Sequence, residues 1–197
     1  MILGIGKNGI VDGGEETEKS IGLDSRFVED VEKENKKWWS MTQMELDNIK
    51  VSATVIVISK DNKALIVQRL PDKAFPNLWT VSGGKVQDTD GILKSEGFRY
   101  HSVEECASRE LWEETGITVE LEKLKYLCSI TTIWGKTRRI ILSFYIVLNV
   151  NAKDIDIRLT ECQAYRWIEE HEIPQYGFIP DISGEIREVF KRIRKAK

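Results

Sequence analysis

The sequence predicts an α/β domain in which a mixed β-sheet is layered with helices. The order of its segments indicates this fold class: a β-hairpin, a loop, a helix, a second hairpin, a strand and a final helix. The chain has 197 residues, which is enough for one domain with a substantial core. Hydrophobic residues make up 41% and charged residues 31%, as is typical of a soluble globular protein.

The N-terminal quarter of the chain is predicted to lie outside this domain. Residues 1–23 are rich in glycine and poor in core-forming side chains, so we expect a flexible leader. Residues 24–49 are predicted to form a helical N-terminal extension, because apolar residues such as Phe27, Val31 and Trp38 fall on one helical stripe. This extension would pack on the domain or on a partner subunit, so a homodimer remains open.

The domain itself is predicted to span residues 50–197. Five runs rich in β-branched and apolar residues are predicted strands: residues 51–59, 63–69, 124–133, 139–150 and 163–168. Residues 182–195 carry apolar residues at helical spacing, which predicts an amphipathic helix. Residues 87–101 are polar, contain two glycines and show no period, so we predict a loop there.

Charge and composition disfavour several functional classes. The net charge of −3 gives no overall basic surface, so nucleic acid is not an expected partner. The three cysteines are scattered, which suggests neither a zinc site nor a disulfide framework. No apolar run approaches the roughly 18 residues of a membrane span, and the amino end does not resemble a signal peptide. We therefore expect a cytoplasmic protein with no membrane association.

A second helix is predicted around a cluster of carboxylates. Ser102 and Glu105 have the spacing of a capping box, so the helix should begin at Ser102, and Gly116 is suited to end it. Glu110, Glu113 and Glu114 would then lie within an arc of about 100° on one side. Like charges so close destabilise a helix unless a cation binds them, and hard oxygen ligands favour Mg²⁺, Mn²⁺ or Ca²⁺. A solvated acidic helix face is the alternative interpretation.

The stretch around these carboxylates resembles the signature of the Nudix hydrolases. Residues 109–117 read Arg-Glu-Leu-Trp-Glu-Glu-Thr-Gly-Ile, which is similar to the second half of that signature. Residues 83–86, Gly-Gly-Lys-Val, are similar to its start. The resemblance covers roughly residues 50–195. It implies an α/β/α sandwich with a mixed sheet, in which the signature forms a loop, a helix and a second loop.

The resemblance also implies roles for the residues of the signature. Glu110, Glu113 and Glu114, together with the backbone carbonyl of Gly83, would bind Mg²⁺, with Mn²⁺ as a substitute. Glu110 or Glu113 would act as the base toward water, and the sequence does not decide between them. The guanidinium of Arg109 would mainly brace the site through a buried ion pair.

Further residues are candidates for substrate binding. Cationic side chains and one aromatic ring are candidates to contact the phosphates or the base, and an acidic residue before the last strand is a second candidate base: Arg69, Lys85, Trp134, Arg138 and Glu161. Among the cations Arg69 is preferred. For Trp134 and Glu161, ordinary packing and an ordinary surface position are the alternatives.

The predicted function is Mg²⁺-dependent hydrolysis of a diphosphate linkage in a nucleoside diphosphate derivative, a nucleotide-type small molecule. Nucleoside triphosphates are preferred, because residues 65–84 resemble the MutT-like members of the family. Trp134 lies near the place where dinucleoside polyphosphate hydrolases carry a tyrosine, which keeps those substrates open. The alternative is a Nudix-fold nucleotide-binding or regulatory module that has lost turnover.

The first half of the signature departs from the family, because its acidic residue is absent when the chain is read backwards from Arg109. Eight residues before Arg109 stands His101, where the family has Glu, and eleven extra residues separate the two halves. That Glu normally pairs with the signature arginine, and a buried guanidinium without a partner costs several kcal/mol. We therefore predict that an acidic residue of the extra segment takes its place, with Glu96 preferred over Asp88 and Asp90.

Overall fold

The structure is a computed structural model, and it describes residues 48–95, 97–134 and 136–196. The predicted leader, most of the predicted helical extension and the preferred arginine partner Glu96 lie outside these residues. The side chain of Trp134 is likewise outside the description.

A mixed sheet forms the centre of the domain, as predicted. Within the described residues the strands are β1 (Asn48–Ile58), β2 (Ala64–Arg69), β3 (Trp79–Thr80), β4 (Ser82–Lys85), β5 (Ile92–Ser95), β6 (Phe98–Tyr100), β7 (Lys125–Trp134), β8 (Thr137–Val147) and β9 (Cys162–Ile168). The order across the main sheet is β3-β2-β1-β8-β7, with β4 also paired to β1 and β9 paired to β2. β1 and β8 run parallel, whereas the other pairs of this sheet are antiparallel.

Two long helices cover the two faces of this sheet. They are α1 (Ser102–Thr115) and α2 (Ile182–Lys195), and short 3₁₀ turns occupy Leu121–Lys123, Ala152–Asp154 and Glu170–Gln175. The bounds of α2 are those predicted from its apolar stripe. Among the described residues, no helix is long and apolar enough to cross a membrane.

Side chains of β1 pack alternately into two hydrophobic cores, one beneath each helix. Successive side chains of a strand point to opposite faces, so alternate apolar residues of β1 contact different helices. The α1 core contains Ala53, Val55, Val57, Leu65, Cys106, Ala107, Leu111 and Phe144. The α2 core contains Ile56, Ile58, Ile66, Val81, Ile168, Ile186, Val189 and Phe190. Burying one such aliphatic or aromatic side chain contributes about 1.5–3 kcal/mol, so both helices are firmly attached.

The loop predicted for residues 87–101 is wrong in part, because this segment contains the two-stranded hairpin of β5 and β6. Gly91 and Gly97 have φ of 100° and 78°, a conformation that glycine adopts without steric cost. The strands have only four and three residues with a register shift between them, and such short pairs show no detectable period.

The start of α1 is also corrected in detail. The helix begins at Ser102 as predicted, but its N-cap is His101, with φ of 59° and no side-chain capping bond. The predicted capping box is therefore wrong, because Ser102 already lies in the first turn. The end is as predicted: Gly116 has φ of 76°, and its N–H donates to the Trp112 carbonyl over 2.8 Å.

Candidate active site

The candidate site lies where α1 crosses the glycines of β4. A side-chain carbon added to Gly84 would lie 2.2 Å from the carboxyl carbon of Glu110, and one added to Gly83 would lie 2.4 Å from the Ala53 carbonyl oxygen. Both contacts are closer than real side chains allow. Gly84 therefore lets the acidic face of α1 approach β4, whereas Gly83 lets β4 lie close against β1.

Glu114 is fixed against this strand. Its Oε2 accepts hydrogen bonds from the Ser82 hydroxyl at 2.5 Å and from the Gly83 amide at 3.2 Å. Burial raises the pKa of Glu114 to about 7, although both of these bonds favour the charged form and oppose the shift. A carboxylate in this state gains from a nearby cation.

The carbonyl of Gly83 points away from β1. In an antiparallel ladder, hydrogen-bonded and non-hydrogen-bonded pairs alternate. The Val86 amide donates to the Val51 carbonyl, so three residues earlier Gly83 and Thr54 form a non-hydrogen-bonded pair. The carbonyl of Gly83 therefore points to the same side as its N–H group, which meets Glu114. This direction is the one that a backbone metal ligand needs.

Arg109 joins two of the carboxylates. Its Nη1 donates to Glu110 Oε1 and to Glu113 Oε2, each at 2.8 Å, and its Nη2 donates to the Lys85 carbonyl at 3.1 Å. Glu110 is largely buried, and this burial raises its pKa, whereas the bond from Arg109 opposes the rise. The guanidinium thus lies between α1 and the end of β4.

Asp90 is the partner that neutralises Arg109 from the other side. Its Oδ1 accepts from Nε of Arg109 at 2.8 Å and its Oδ2 accepts from Nη2 at 3.1 Å, while the Gln87 amide donates to Oδ2 at 2.7 Å. The Asp90 side chain is only 3% exposed. Burial pushes its pKa upward, but the bonds from Arg109 and Gln87 outweigh this and leave the pKa below its ordinary value.

Asp90 also corrects the alignment of the signature. The prediction that an acidic residue of the extra segment would replace the missing Glu is confirmed, but the residue that the structure places there is Asp90. Counted forwards from Gly84 with five residues between, Asp90 occupies the position where the family has its first acidic residue. The eleven extra residues therefore follow Asp90 in the chain, and they form the β5–β6 hairpin.

The three glutamates do not form a ready metal site. Within the described residues, no three acidic, histidine or cysteine side chains converge as metal ligands do. The physical reason is Arg109, which holds Glu110 and Glu113 while Glu114 bonds to β4. The donors nevertheless fit a hard cation, since all are oxygens and the carboxylate of Glu114 is desolvated.

The segment before β9 lies close to this cluster. Glu161 contributes to the raised pKa values of both Glu110 and Glu114, and its side chain is 62% exposed beside Lys73 at 3.8 Å. The Thr160 hydroxyl donates to the backbone carbonyl of Glu113. Glu161 thus lies close enough to influence both glutamates electrostatically, while its side chain occupies an exposed surface position.

The three cations predicted to contact substrate phosphates lie in different surroundings. Arg69 Nε donates to the Ala74 carbonyl at 2.6 Å, which holds its side chain in the loop that follows β2. Lys85 has an exposed side chain at the end of β4. Arg138 faces the α1 side of the sheet in register with Ile49 and Ile133, and its Nε is buried without a hydrogen-bond partner among the described residues.

Comparison with known proteins decides the family. The model of the NUDIX domain matches residues 48–192, which is well over half of the chain. The chain belongs to the NUDIX family. This confirms the resemblance found in the signature, and as a Nudix hydrolase the protein hydrolyses a pyrophosphate linkage in nucleotide derivatives. No curated protein sequence matches it significantly.

Solved structures show the same fold. The MutT protein from Methanosarcina mazei Go1 superposes with a TM-score of 0.57 at 20% identity, over 75% of this chain and 96% of that one. An Ap4A hydrolase from C. elegans gives 0.56 at 18% identity, over 74% and 98%. A bifunctional NMN adenylyltransferase/ADP ribose pyrophosphatase from Francisella tularensis, complexed with AMP and a Mn ion, gives 0.55 at 20%, over 83% and 46%.

Sequence reasoning ranked Asp90 below Glu96 and missed Ser82. Counting forwards from Gly84 would have favoured Asp90, whereas counting backwards from Arg109 crossed the inserted hairpin. Ser82 carries no signal in the sequence, because its contact with Glu114 joins residues 32 positions apart.

Proposed function

We propose that this Nudix hydrolase cleaves nucleoside triphosphates in a Mg²⁺-dependent reaction, with Mn²⁺ able to replace Mg²⁺. The observation that carries the proposal is Glu114, a desolvated carboxylate with a pKa of about 7 that lies beside the outward-facing backbone of Gly83. Glu110 lies against Gly84 on the same face. A hard divalent cation is the species that such oxygens bind best.

Three carboxylates and one carbonyl are the proposed ligands: Glu110, Glu113, Glu114 and the backbone of Gly83. For them to converge, Glu110 and Glu113 must turn from Arg109 toward the ion. Asp90 lowers the free-energy cost of this rearrangement, because it keeps two of the three nitrogens of the guanidinium paired. When bound, the divalent ion would neutralise phosphate charge and lower the pKa of water.

The reaction needs a base that accepts the proton of the attacking water while one P–O bond forms and the bridging P–O bond breaks. Glu113 is the more exposed of the two candidates, with 39% of its side chain accessible, against 16% for Glu110. Burial raises the pKa of Glu110, which brings this carboxyl closer to the operating pH. We therefore prefer Glu110 as the base, through the carboxylate oxygen that does not bind the ion, and assign Glu113 the role of a ligand alone.

Substrate phosphates would meet the cations that border this face. Lys85 lies at the end of β4 beside the site, and Arg69 lies in the neighbouring loop. The assignment of Arg138 is less favoured, because its Nε is buried and not presented to solvent. The preference for triphosphates over dinucleoside polyphosphates rests on the sequence of residues 65–84.

The experiment is a hydrolysis screen of nucleoside triphosphates, dinucleoside polyphosphates and ADP-ribose with Mg²⁺, with products separated by chromatography. We expect a nucleoside monophosphate and pyrophosphate from at least one triphosphate. Glu110→Gln should abolish this turnover while leaving the melting temperature unchanged or higher. A folded wild-type chain that binds nucleotides without turning any of them over would instead support a binding module.

A further inference from the structure

The hairpin inserted after Asp90 makes specific contacts with the signature loop. Nη1 of Arg99, on β6, donates to the carbonyls of Thr89 at 3.1 Å and of Gly91 at 3.0 Å. These two carbonyls are the backbone groups on either side of Asp90. The extra residues therefore fold back onto the turn that carries Asp90, although they are absent from the family signature.

That turn governs the orientation of the carboxylates. Asp90 holds Arg109 through two parallel bonds, a rigid geometry that fixes the plane of the guanidinium. The third nitrogen of the same guanidinium contacts Glu110 and Glu113. A displacement of Asp90 would thus change how strongly Arg109 competes for these two side chains.

We propose that Arg99 is a positioning residue for metal binding, which holds the Asp90 turn so that Arg109 stays shared between Asp90 and the glutamates of α1. The inference rests on the proposed metal-dependent function, and it adds a role for the hairpin that the signature does not contain.

The direction of the effect follows from electrostatics. When Asp90 is held in place, much of the guanidinium charge is neutralised there, so Glu110 and Glu113 can turn toward a cation at modest cost. When the turn is loosened, Arg109 loses part of its neutralising charge and pairs with these glutamates more strongly. The metal must then displace a stronger ion pair, and its affinity falls.

The hairpin offers a matched control. Lys94, on β5, is also a cation of this hairpin, and its ammonium lies 5.0 Å from the centre of the Tyr100 ring. Removing it changes the charge of the hairpin by the same amount as removing Arg99. It leaves the bonds to Thr89 and Gly91 in place, so it separates long-range charge from positioning.

The test is the binding of Mn²⁺ to the full chain, followed through the electron paramagnetic resonance signal of the free ion, without nucleotide. Loss of a group behind the metal ligands typically costs 10–100-fold in affinity, and Arg99 acts one step further away, so Arg99→Ala should weaken binding by roughly fivefold. Arg99→Lys should recover most of the loss, and Lys94→Ala should bind as the wild type does. Thermal melting of each variant shows that the comparison is made between folded proteins.

Three results would overturn the proposal. Wild-type affinity in Arg99→Ala would show that the hairpin does not act on the metal ligands. Equal weakening in Arg99→Ala and Lys94→Ala would show an effect of charge alone. A raised KM for nucleotide with unchanged Mn²⁺ binding would make Arg99 a substrate contact. A wild-type chain that binds no Mn²⁺ is a different outcome, since it would refute the proposed function and this inference with it.

Discussion

Glu114 on α1 and Glu185 on α2 are desolvated carboxylates on opposite faces of one sheet, and their surroundings differ. Oε2 of Glu114 accepts bonds from Ser82 and Gly83. Oε2 of Glu185 is buried without a hydrogen-bond partner among the described residues, and the residue is only 8% exposed. Burial raises the pKa of both side chains. Glu185 has a single stabilising contact, the hydroxyl of Ser143, whereas Glu114 has both a hydroxyl and a backbone amide that favour its charged form.

This difference indicates that desolvation alone does not identify a catalytic carboxylate. Glu185 lies beside the buried Ser143, whose hydroxyl accepts a hydrogen bond from Thr54, and the charge of Asp181 adds to the rise of its pKa. It belongs to the packing of α2 on the sheet. Glu114 lies instead beside backbone that points outward and beside further acidic side chains, so a cation would relieve both its desolvation and its repulsion.

The largest expected difference between the two is in turnover. Glu114→Gln should lose about 100-fold or more of the hydrolytic rate, since even groups behind a metal ligand are worth 10–100-fold. Glu185→Gln should stay within about threefold, because the amide can keep the contact with Ser143. Steady-state kinetics at saturating Mg²⁺ measure both rates. Equal losses would show that Glu114 is no more important for turnover than Glu185.

A smaller effect is expected from Ser82→Ala. This change removes a donor that favours the charged form of Glu114, so the pKa of Glu114 should rise further above its value of about 7. At neutral pH a smaller fraction of the carboxylate is then ionised in the metal-free chain, so Mg²⁺ binding should weaken and turnover at subsaturating Mg²⁺ should fall by roughly tenfold. A metal-free carbon-13 NMR titration of the glutamate carboxyls measures the shift directly. An unchanged titration would show that the short contact contributes nothing to the charge state of Glu114.

The smallest effect concerns stability and its dependence on pH. The pKa of Glu185 in the folded chain is raised above its ordinary value of 4.5. Folding therefore favours the protonated form of Glu185. The stabilisation that this protonation contributes is complete below pH 4.5 and is lost as the pH rises through the raised pKa. Glu185→Gln should thus increase the urea midpoint at pH 7, and the gain should shrink as the pH falls from the raised pKa toward 4.5, below which it stays constant. A loss of stability at pH 7 would indicate that the ionised carboxylate has a favourable partner.

Much of the fold could be predicted because its strands and helices carry strong local patterns. The β-branched run of β1 and the apolar stripe of α2 each specify an element without reference to the rest of the chain. The β5–β6 hairpin could not be predicted, because its strands are short and most of its side chains are exposed. The position of this hairpin explains why counting backwards from Arg109 reached His101. Asp90 keeps the family's spacing from Gly84, whereas the insertion separates Asp90 from Arg109.

The acidic face of the site could be predicted from helical spacing, but its detailed state could not. Glu110 and Glu114 do lie against β4, and Glu110 and Glu113 share the guanidinium of Arg109. Their partners are set by contacts between distant parts of the chain, such as the bond from Ser82 to Glu114 and the pair of Arg109 with Asp90. Helical spacing predicts that the like charges lie close together. It does not predict that Arg109 of the same helix binds Glu110 and Glu113, so that these two side chains do not converge with Glu114.

The most direct test of the metal site is calorimetric titration of Mg²⁺ into the wild type and into the two matched variants, without nucleotide. The wild type and Glu185→Gln should bind Mg²⁺ with the same affinity, whereas Glu114→Gln should bind at least tenfold more weakly, since it loses a charged ligand. Equal binding by Glu114→Gln and the wild type, or weaker binding by Glu185→Gln alone, would contradict the assignment of the metal site to the acidic face of α1.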